Sequence, residues 1–234
     1  MMSYCGTCKN ITVLGAGAFG TAMAVVAARN NHKVILLCRY QDQADYINNH
    51  NVNPIVFQEY TLSPLIKATS SVNEALAHPD LVIHAIPVQQ SFSFLKEISN
   101  LLPKSAPVLS TSKGIHVETE LLMCGILDEV LDENHPTAFL SGPSFAKEVI
   151  AGSPTTVVIG SKQSQTAVFI SELLSNQYFR AYVTDDVIGL EIGGALKNPL
   201  AIGAGIIEGL GHGANSLVAF IIRGCFEMKK LGVV

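Results

Sequence analysis

Short apolar, β-branched runs alternate with helix-length segments along most of the chain. Ile11 to Leu14 reads as a strand, Thr21 to Arg29 as a helix and Lys33 to Cys38 as a second strand. Leu81 to Ile86 follows as a strand, then a helical pattern that turns Phe92, Leu95, Ile98 and Leu102 inward. Val108 to Thr111, Ala138 to Leu140, Thr156 to Ile159 and Ala181 to Val183 complete the strand candidates, with helices between most of them. The runs are apolar on both faces, as buried parallel strands require when helices cover both sides of a sheet. The alternation predicts a doubly wound α/β domain with a mostly parallel sheet.

The pattern changes near Thr184. Asp185 and Asp186 suit a helix N-terminus, and no convincing strand follows. Asn215 or Ser216 is expected to cap a last helix with Leu217, Phe220, Ile221, Cys225, Met228 and Leu231 on one face. The expected division is therefore a nucleotide-type domain over residues 1–185 and the start of an all-helical domain over 186–234. So short a helical part can hardly bury such an apolar face by itself, so it packs on the first domain or another chain, or the sequence stops before its domain is complete. Gly189 and Gly193, like Gly205 and Gly209, have the spacing of close helix contacts.

Composition narrows the function. The chain has 234 residues, 48% hydrophobic and 15% charged, enough for a sizeable core and too little charge for a disordered chain. A net charge of −4 gives no field that favours nucleic acid or an anionic membrane. Mean hydropathy is +0.35, but the best candidate membrane span, Val187 to Leu210, is interrupted by Glu191, Lys197, Pro199 and Glu208. Met1 to Asn10 lacks the basic-then-apolar order of a secretory signal. Five cysteines without regular spacing point to reduced thiols. Cys5 and Cys8 form a lone C-x-x-C, which reads as frayed N-terminal thiols rather than a zinc site.

Gly15-Ala16-Gly17-Ala18-Phe19-Gly20 is G-x-G-x-x-G directly after the first strand and before a helix, the context in which that motif marks a Rossmann-type dinucleotide site. Gly15 permits the tight turn, Gly17 lets the backbone approach a diphosphate, and Gly20 allows close helix–strand packing, leaving N–H groups around Ala18 and Phe19 for phosphate. At the end of the second strand, where an NAD site usually places an acid, stands Cys38-Arg39-Tyr40, nineteen positions past Gly20 at Arg39. A guanidinium suits a 2′-phosphate or stacks on adenine. NAD or NADP is the implied cofactor, with a lean towards NADP; a solvated surface arginine is the plain alternative.

Hydride transfer at a carbon–oxygen centre needs a group that exchanges a proton with the oxygen. Among seven histidines, His84 lies within a strand and reads as a satisfied core residue, whereas His78, His116, His135 and His212 sit beside turns where exposure is the default. The lysines are more suggestive. Lys113 lies just past a strand in Ser110-Thr111-Ser112-Lys113-Gly114, where ligands of open α/β sheets bind. Lys197 lies in the apolar Gly193-Gly194-Ala195-Leu196-Lys197-Asn198. A partly buried lysine near a second cation has its pKa lowered towards the range of a general acid/base; each also reads, alone, as a snorkelling surface lysine. Past another strand, Ser144 in Ser141-Gly142-Pro143-Ser144-Phe145-Ala146 either caps the next helix or binds an anion there.

These motifs, in this order and together with Pro87-Val88-Gln89 and Asp186-Val187-Ile188-Gly189, resemble the NAD(P)-dependent glycerol-3-phosphate dehydrogenase family from about Ile11 to Leu231. Phe19 to Ala24 and His84 to Gln89 resemble plant and algal plastid-type members. The resemblance implies reversible reduction of dihydroxyacetone phosphate to sn-glycerol 3-phosphate for glycerolipid synthesis. It implies Lys197 as the catalytic proton donor and acceptor, with Lys113, Gly142, Ser144 and Asn198 on the phosphorylated substrate. Gly15, Gly17, Ala18, Phe19, Gly20, Arg39, Lys113 and Ala146 would contact the dinucleotide, and no metal is implied. Gln90 stands where some relatives have an aromatic residue. The family continues beyond the point matching Val234, into the region with its phosphate-gripping Arg-Asn pair; Arg223 has no assigned part in the site. Two other readings stay open: a non-catalytic dinucleotide-binding module, and another dehydrogenase of the 3-hydroxyacid type. A second copy of the chain is the other candidate partner. The expected compartment is the cytoplasm, or the plastid stroma after removal of a transit peptide.

Overall fold

The computed structural model describes residues 7–232. The elements run β1 (Asn10–Leu14), α1 (Ala18–Arg29), β2 (Lys33–Leu37), α2 (Gln41–His50), β3 (Ile66–Thr69), α3 (Val72–Ala75), β4 (Leu81–His84) and α4 (Val88–Ile98). They continue with β5 (Val108–Ser110), α5 (Met123–Val130), β6 (Thr137–Ser141), α6 (Ala146–Ala151), β7 (Thr155–Gly160), α7 (Ser164–Leu174), β8 (Phe179–Thr184), α8 (Val187–Gly209) and α9 (Ala214–Leu231).

The strands form one sheet in the order β3-β2-β1-β4-β5-β6-β7-β8. All pairs are parallel except β6 with β7. Successive residues of β1 feed opposite faces: Val13 joins the core that includes Met23, Leu36 and Ile170, and Leu14 joins the one that includes Leu95, Met123 and Leu127. That is why the central strands carry apolar residues at consecutive positions. The Rossmann-type α/β architecture expected from the alternation is present, followed by the helical pair α8–α9.

β3 was not among the expected strands. It is a short edge strand, and its outer side is closed by Asn48, whose amide donates to Ala68 O at 2.8 Å and accepts from Ala68 N at 2.9 Å. A side chain thus completes what a ninth strand would otherwise satisfy. β4 ends at His84, two residues earlier than expected, and α1 starts at Ala18, three earlier.

Asp186 caps α8, its carboxylate accepting from Gly189 N at 2.8 Å. Gly213, rather than Asn215 or Ser216, is the N-cap of α9. The face of α9 that meets α8 runs through Leu217, Phe220, Gly224 and Met228; Ile221, Cys225 and Leu231 of the expected stripe are exposed. The glycine spacings also act differently from expectation. Gly193, Gly205 and Gly209 have open space where a Cβ would stand, and the close helix contacts are Gly203 on the Phe220 ring and Gly224 on Leu200. Ile202, Ile206, Leu210, Ile222 and Phe226 leave broad apolar surface on the outer side of this pair. No helix among the described residues is long and apolar enough to cross a membrane.

Candidate active site

β1 and β4 are neighbours that continue in opposite directions across the sheet, to β2 and to β5. At such a switch point the loops at the carboxyl ends separate and leave a crevice. Here it is a cleft of about 740 Å³ lined by Gly15, Gly17, Arg39, Tyr40, Ile86 and Gln90, among others. Gly15 turns the chain with φ +109°, and a Cβ there would lie 2.8 Å from Ala85 O; no L side chain fits. Gly17 faces open space instead, with nothing within 4 Å of an added Cβ. No side chain caps α1 and no acid stands in its first turn, so the N–H groups of Ala18 and Phe19 and the positive end of the helix dipole are left for an anion. The residues present therefore fit a dinucleotide diphosphate.

At the tip of β2 the Arg39 guanidinium lies 5.5 Å from the centre of the Tyr40 ring, and both residues are exposed on the cleft's rim.

Lys113, on the loop after β5, bends towards the glycine-rich turn: its Nζ is 5.1 Å from the centre of the Phe19 ring. From the other side α8 closes in. Gly194 rests on β6 so tightly that a Cβ would lie 2.9 Å from Ser141 Oγ and 3.7 Å from Lys113 Cγ, which places Lys197, one helical turn on, beside Lys113. Burial first, and the Lys197 charge second, pull the Lys113 ammonium down to about 8. Two cations thus stand together between the first turn of α1 and α8, where a phosphorylated ligand would relieve their repulsion. The arrangement can hold an anionic substrate and move a proton beside a bound dinucleotide.

Comparison with known sequences agrees with this geometry. The family model described as NAD-dependent glycerol-3-phosphate dehydrogenase N-terminus matches residues 10–167, and its C-terminus counterpart matches residues 186–234. The chain belongs to the NAD-dependent glycerol-3-phosphate dehydrogenase family. A glycerol-3-phosphate dehydrogenase [NAD(P)+] of Bacillus pumilus is 42% identical over 96% of the chain and 66% of that protein, and one of Halothermothrix orenii is 39% identical over 95% and 65%. The crystal structure of glycerol-3-phosphate dehydrogenase from Coxiella burnetii superposes with a TM-score of 0.87 at 33% identity, over 96% of this chain and 68% of that one. The chain thus spans just under two thirds of the length of these two curated relatives.

The remaining residues that the family likeness singled out are distributed unevenly. Ala146 opens α6 and packs with Phe19 and Ala85 against the same core. Gly142 turns off β6 against Thr156 O of β7. Asn198 is exposed beside Lys197. Ser144 does not cap α6: the N-cap is Phe145, and the Ser144 hydroxyl points back to Gly142 O at 3.5 Å. His116 and His135 are buried, not exposed, held by Thr119 Oγ1 at 2.9 Å and Ala106 O at 3.0 Å. His84 is buried as expected but only half satisfied: Nδ1 lies 3.2 Å from Ser112 Oγ, and Nε2 has no partner.

Sequence reasoning passed over Glu191. Its carboxylate reaches from α8 to accept from Cys124 N at 3.0 Å, capping α5 in place of Leu122, which has no polar side chain; burial raises the Glu191 pKa above the usual carboxylate range. The uncapped start of α5 was the available signal. No three of His, Cys, Asp and Glu converge on a metal-sized space among the described residues. Cys8 is exposed and Cys5 lies outside the described residues.

Proposed function

We propose that this chain carries the dinucleotide-binding part, through residue 185, and the first helices, from residue 186, of an enzyme that reversibly reduces dihydroxyacetone phosphate to sn-glycerol 3-phosphate, the backbone of glycerolipids. The observation that carries the reading is the meeting of Lys113 and Lys197, from two separate motifs, beside the first turn of α1. A nicotinamide cofactor, when bound, would supply or accept the hydride. Lys197 gives its proton to the carbonyl oxygen as the alcohol forms and takes it back in reverse, so the ketone gains one hydride and one proton. Lys113 holds negative charge shared by substrate and dinucleotide, and the turn at Gly142 and Ser144, with Asn198, borders the substrate. Phe19–Ala24 and His84–Gln89 support a plastid-type likeness for the chain.

The test is oxidation of NADH and NADPH followed by absorbance with dihydroxyacetone phosphate as substrate. We expect turnover by the unaltered chain, and a fall of at least ~100-fold for Lys197→Ala, the usual scale for a lost proton-transfer group, with dinucleotide affinity kept within about twofold. Unchanged turnover in that variant would overturn the assignment. Dinucleotide binding without any turnover by the unaltered chain would favour a binding module instead.

A further inference from the structure

The glycine-rich turn is held from behind by two buried amides, and resting on the dinucleotide reading of the cleft, we propose that Asn53, assisted by Gln43, is the positioning residue that aims the Gly17 N–H at the diphosphate. Asn53 lies on the segment after α2 and is wholly buried. Its Nδ2 donates to Ala16 O at 3.0 Å and to Thr21 Oγ1 at 2.8 Å. Its Oδ1 accepts from Gln43 Nε2 at 3.0 Å and from Ile55 N at 3.1 Å. Gln43 Nε2, from α2, also reaches Ala16 O at 3.2 Å. Ala16 O can only accept and Ile55 N can only donate, so these two main-chain groups fix which end of the Asn53 amide is which.

The consequence follows from peptide geometry. In a trans peptide the C=O and N–H point in opposite directions, so a carbonyl of Ala16 held inward turns the N–H of Gly17 outward. That N–H has no acceptor among the described residues, and the space before Gly17 is open. Glycine at position 17 gives little steric resistance to rotation of this peptide plane. Without the two amides the plane is free to turn, and the oxygen of Ala16 would then face the phosphates as a repelling dipole. Thr21 Oγ1 ties the same network to the first turns of α1, so the turn and the helix start move as one unit. A buried, fully satisfied amide with two donors on one side is suited to this task, and a hydrophobic residue of similar size is not.

The experiment measures dissociation constants of NADPH, NADH and adenosine for the unaltered chain, Asn53→Asp and Gln43→Leu, together with thermal unfolding. Adenosine probes the cleft without any phosphate. Asn53→Asp keeps the shape but sets a carboxylate against Ala16 O, and we expect its dinucleotide affinity to fall at least tenfold while adenosine binding stays within twofold. Gln43→Leu keeps Asn53 in place and should weaken the dinucleotide about threefold, which preserves the test if the first variant fails to fold. In turnover assays the KM for the dinucleotide should rise while kcat stays within twofold. Dinucleotide affinity unchanged in both variants, or adenosine and dinucleotide weakening together in step with lost stability, would overturn the proposal. Failure of the unaltered chain to bind either dinucleotide would instead remove the reading of the cleft on which it rests.

Discussion

The ammonium of Lys113 stands 5.1 Å from the centre of the Phe19 ring, so a residue on the loop after β5 sits over the first turn of α1. The ring's face attracts the cation and sets it at the junction between the glycine-rich turn and the corner that α8 closes. On the proposed reading the dinucleotide and substrate would share this one charge, and its ionisation is open to measurement.

Lys113 is pulled down to about 8 from its ordinary 10.5. It is cationic below that pH and increasingly neutral above it in the free protein. Affinity for a phosphorylated ligand should then weaken as pH rises beyond about 8, by up to about tenfold per pH unit if only the cationic form binds. The linkage to folding has the opposite sign. The unfolded chain holds this proton more tightly, so the free protein gains stability from this group as pH climbs from about 8 to 10.5. Titrations of NADPH across this window should show the loss in the unaltered chain and a flat, uniformly weaker profile in Lys113→Met. Parallel slopes in both proteins would assign the effect to another group.

Arg39 is the cation at the tip of β2, where an acid would hold ribose hydroxyls. It is exposed, and its guanidinium stacks at 5.5 Å on the Tyr40 ring. If it serves a 2′-phosphate, Arg39→Ala should weaken NADPH about tenfold or more and NADH by less than about threefold, the loss of a charge-assisted contact. Equal losses for the two dinucleotides would mean that it stacks on the adenine they share.

The sheet and the glycine-rich turn were legible because their determinants are local: β-branched runs for the buried strands, and three glycines at fixed spacing between a strand and a helix. β3 was not, because an edge strand of four residues with Lys67 and Thr69 among them carries little apolar pattern, and its outer hydrogen bonds come from Asn48, distant in sequence. The two lysines were found as separate hints; that they meet depends on how Gly194 seats α8 on β6, a tertiary fact. Asn53, Gln43 and Glu191 act on main-chain groups of other elements, so spacing gave no sign of them. The stripe of α9 was misjudged because its apolar residues spread around the helix, and only the partner α8 selects the Leu217–Phe220–Gly224–Met228 line.

Arg29 offers a test of how α1 and α6 are joined. From the last turn of α1 it donates to Val149 O at 2.9 Å and to Ile150 O at 2.6 Å, near the end of α6. Val149 O also accepts from the C-cap Gly152 N at 3.1 Å, and the last carbonyls of a helix have no further turn to bond. Losing a forked, charged donor on a largely exposed side chain should cost about 0.5–1.5 kcal/mol in Arg29→Met, read as a lower urea midpoint. Arg29→Lys should recover only part of it, because a single ammonium cannot span both oxygens in the same geometry. Full recovery by lysine would show that charge, rather than the fork, matters.

His84 should govern the acid limb of stability. It is completely buried on β4, its Nε2 has no partner, and burial pulls its pKa to about 4 from 6.5. The Ser112 hydroxyl donates to Ile86 O and so accepts from His84 Nδ1, which leaves Nε2 as a bare lone pair. This is the tolerable form, since an unpaired buried N–H would be costlier than an unpaired acceptor of weak demand. Protonation would place the ring's second hydrogen on Nε2 with nothing to receive it. The sign follows: the unfolded chain takes up the proton first, so stability is complete above about pH 6.5, falls as pH drops towards 4, and levels off below, by at most roughly 3 kcal/mol. His32 and His135 are also lowered by burial and add slopes of the same sign. The informative quantity is therefore the difference between the unaltered chain and His84→Leu across this window, measured by urea unfolding. We expect the variant to be less stable at neutral pH, through the hydroxyl of Ser112 left without its donor, yet to lose less on acidification. Because Ser112 precedes Lys113, the same acid step should loosen the loop that carries the lysine and weaken NADPH before the protein unfolds. Identical acid limbs in the two proteins would mean that protonated His84 finds a partner, and that this ring does not tie the loop to the strand.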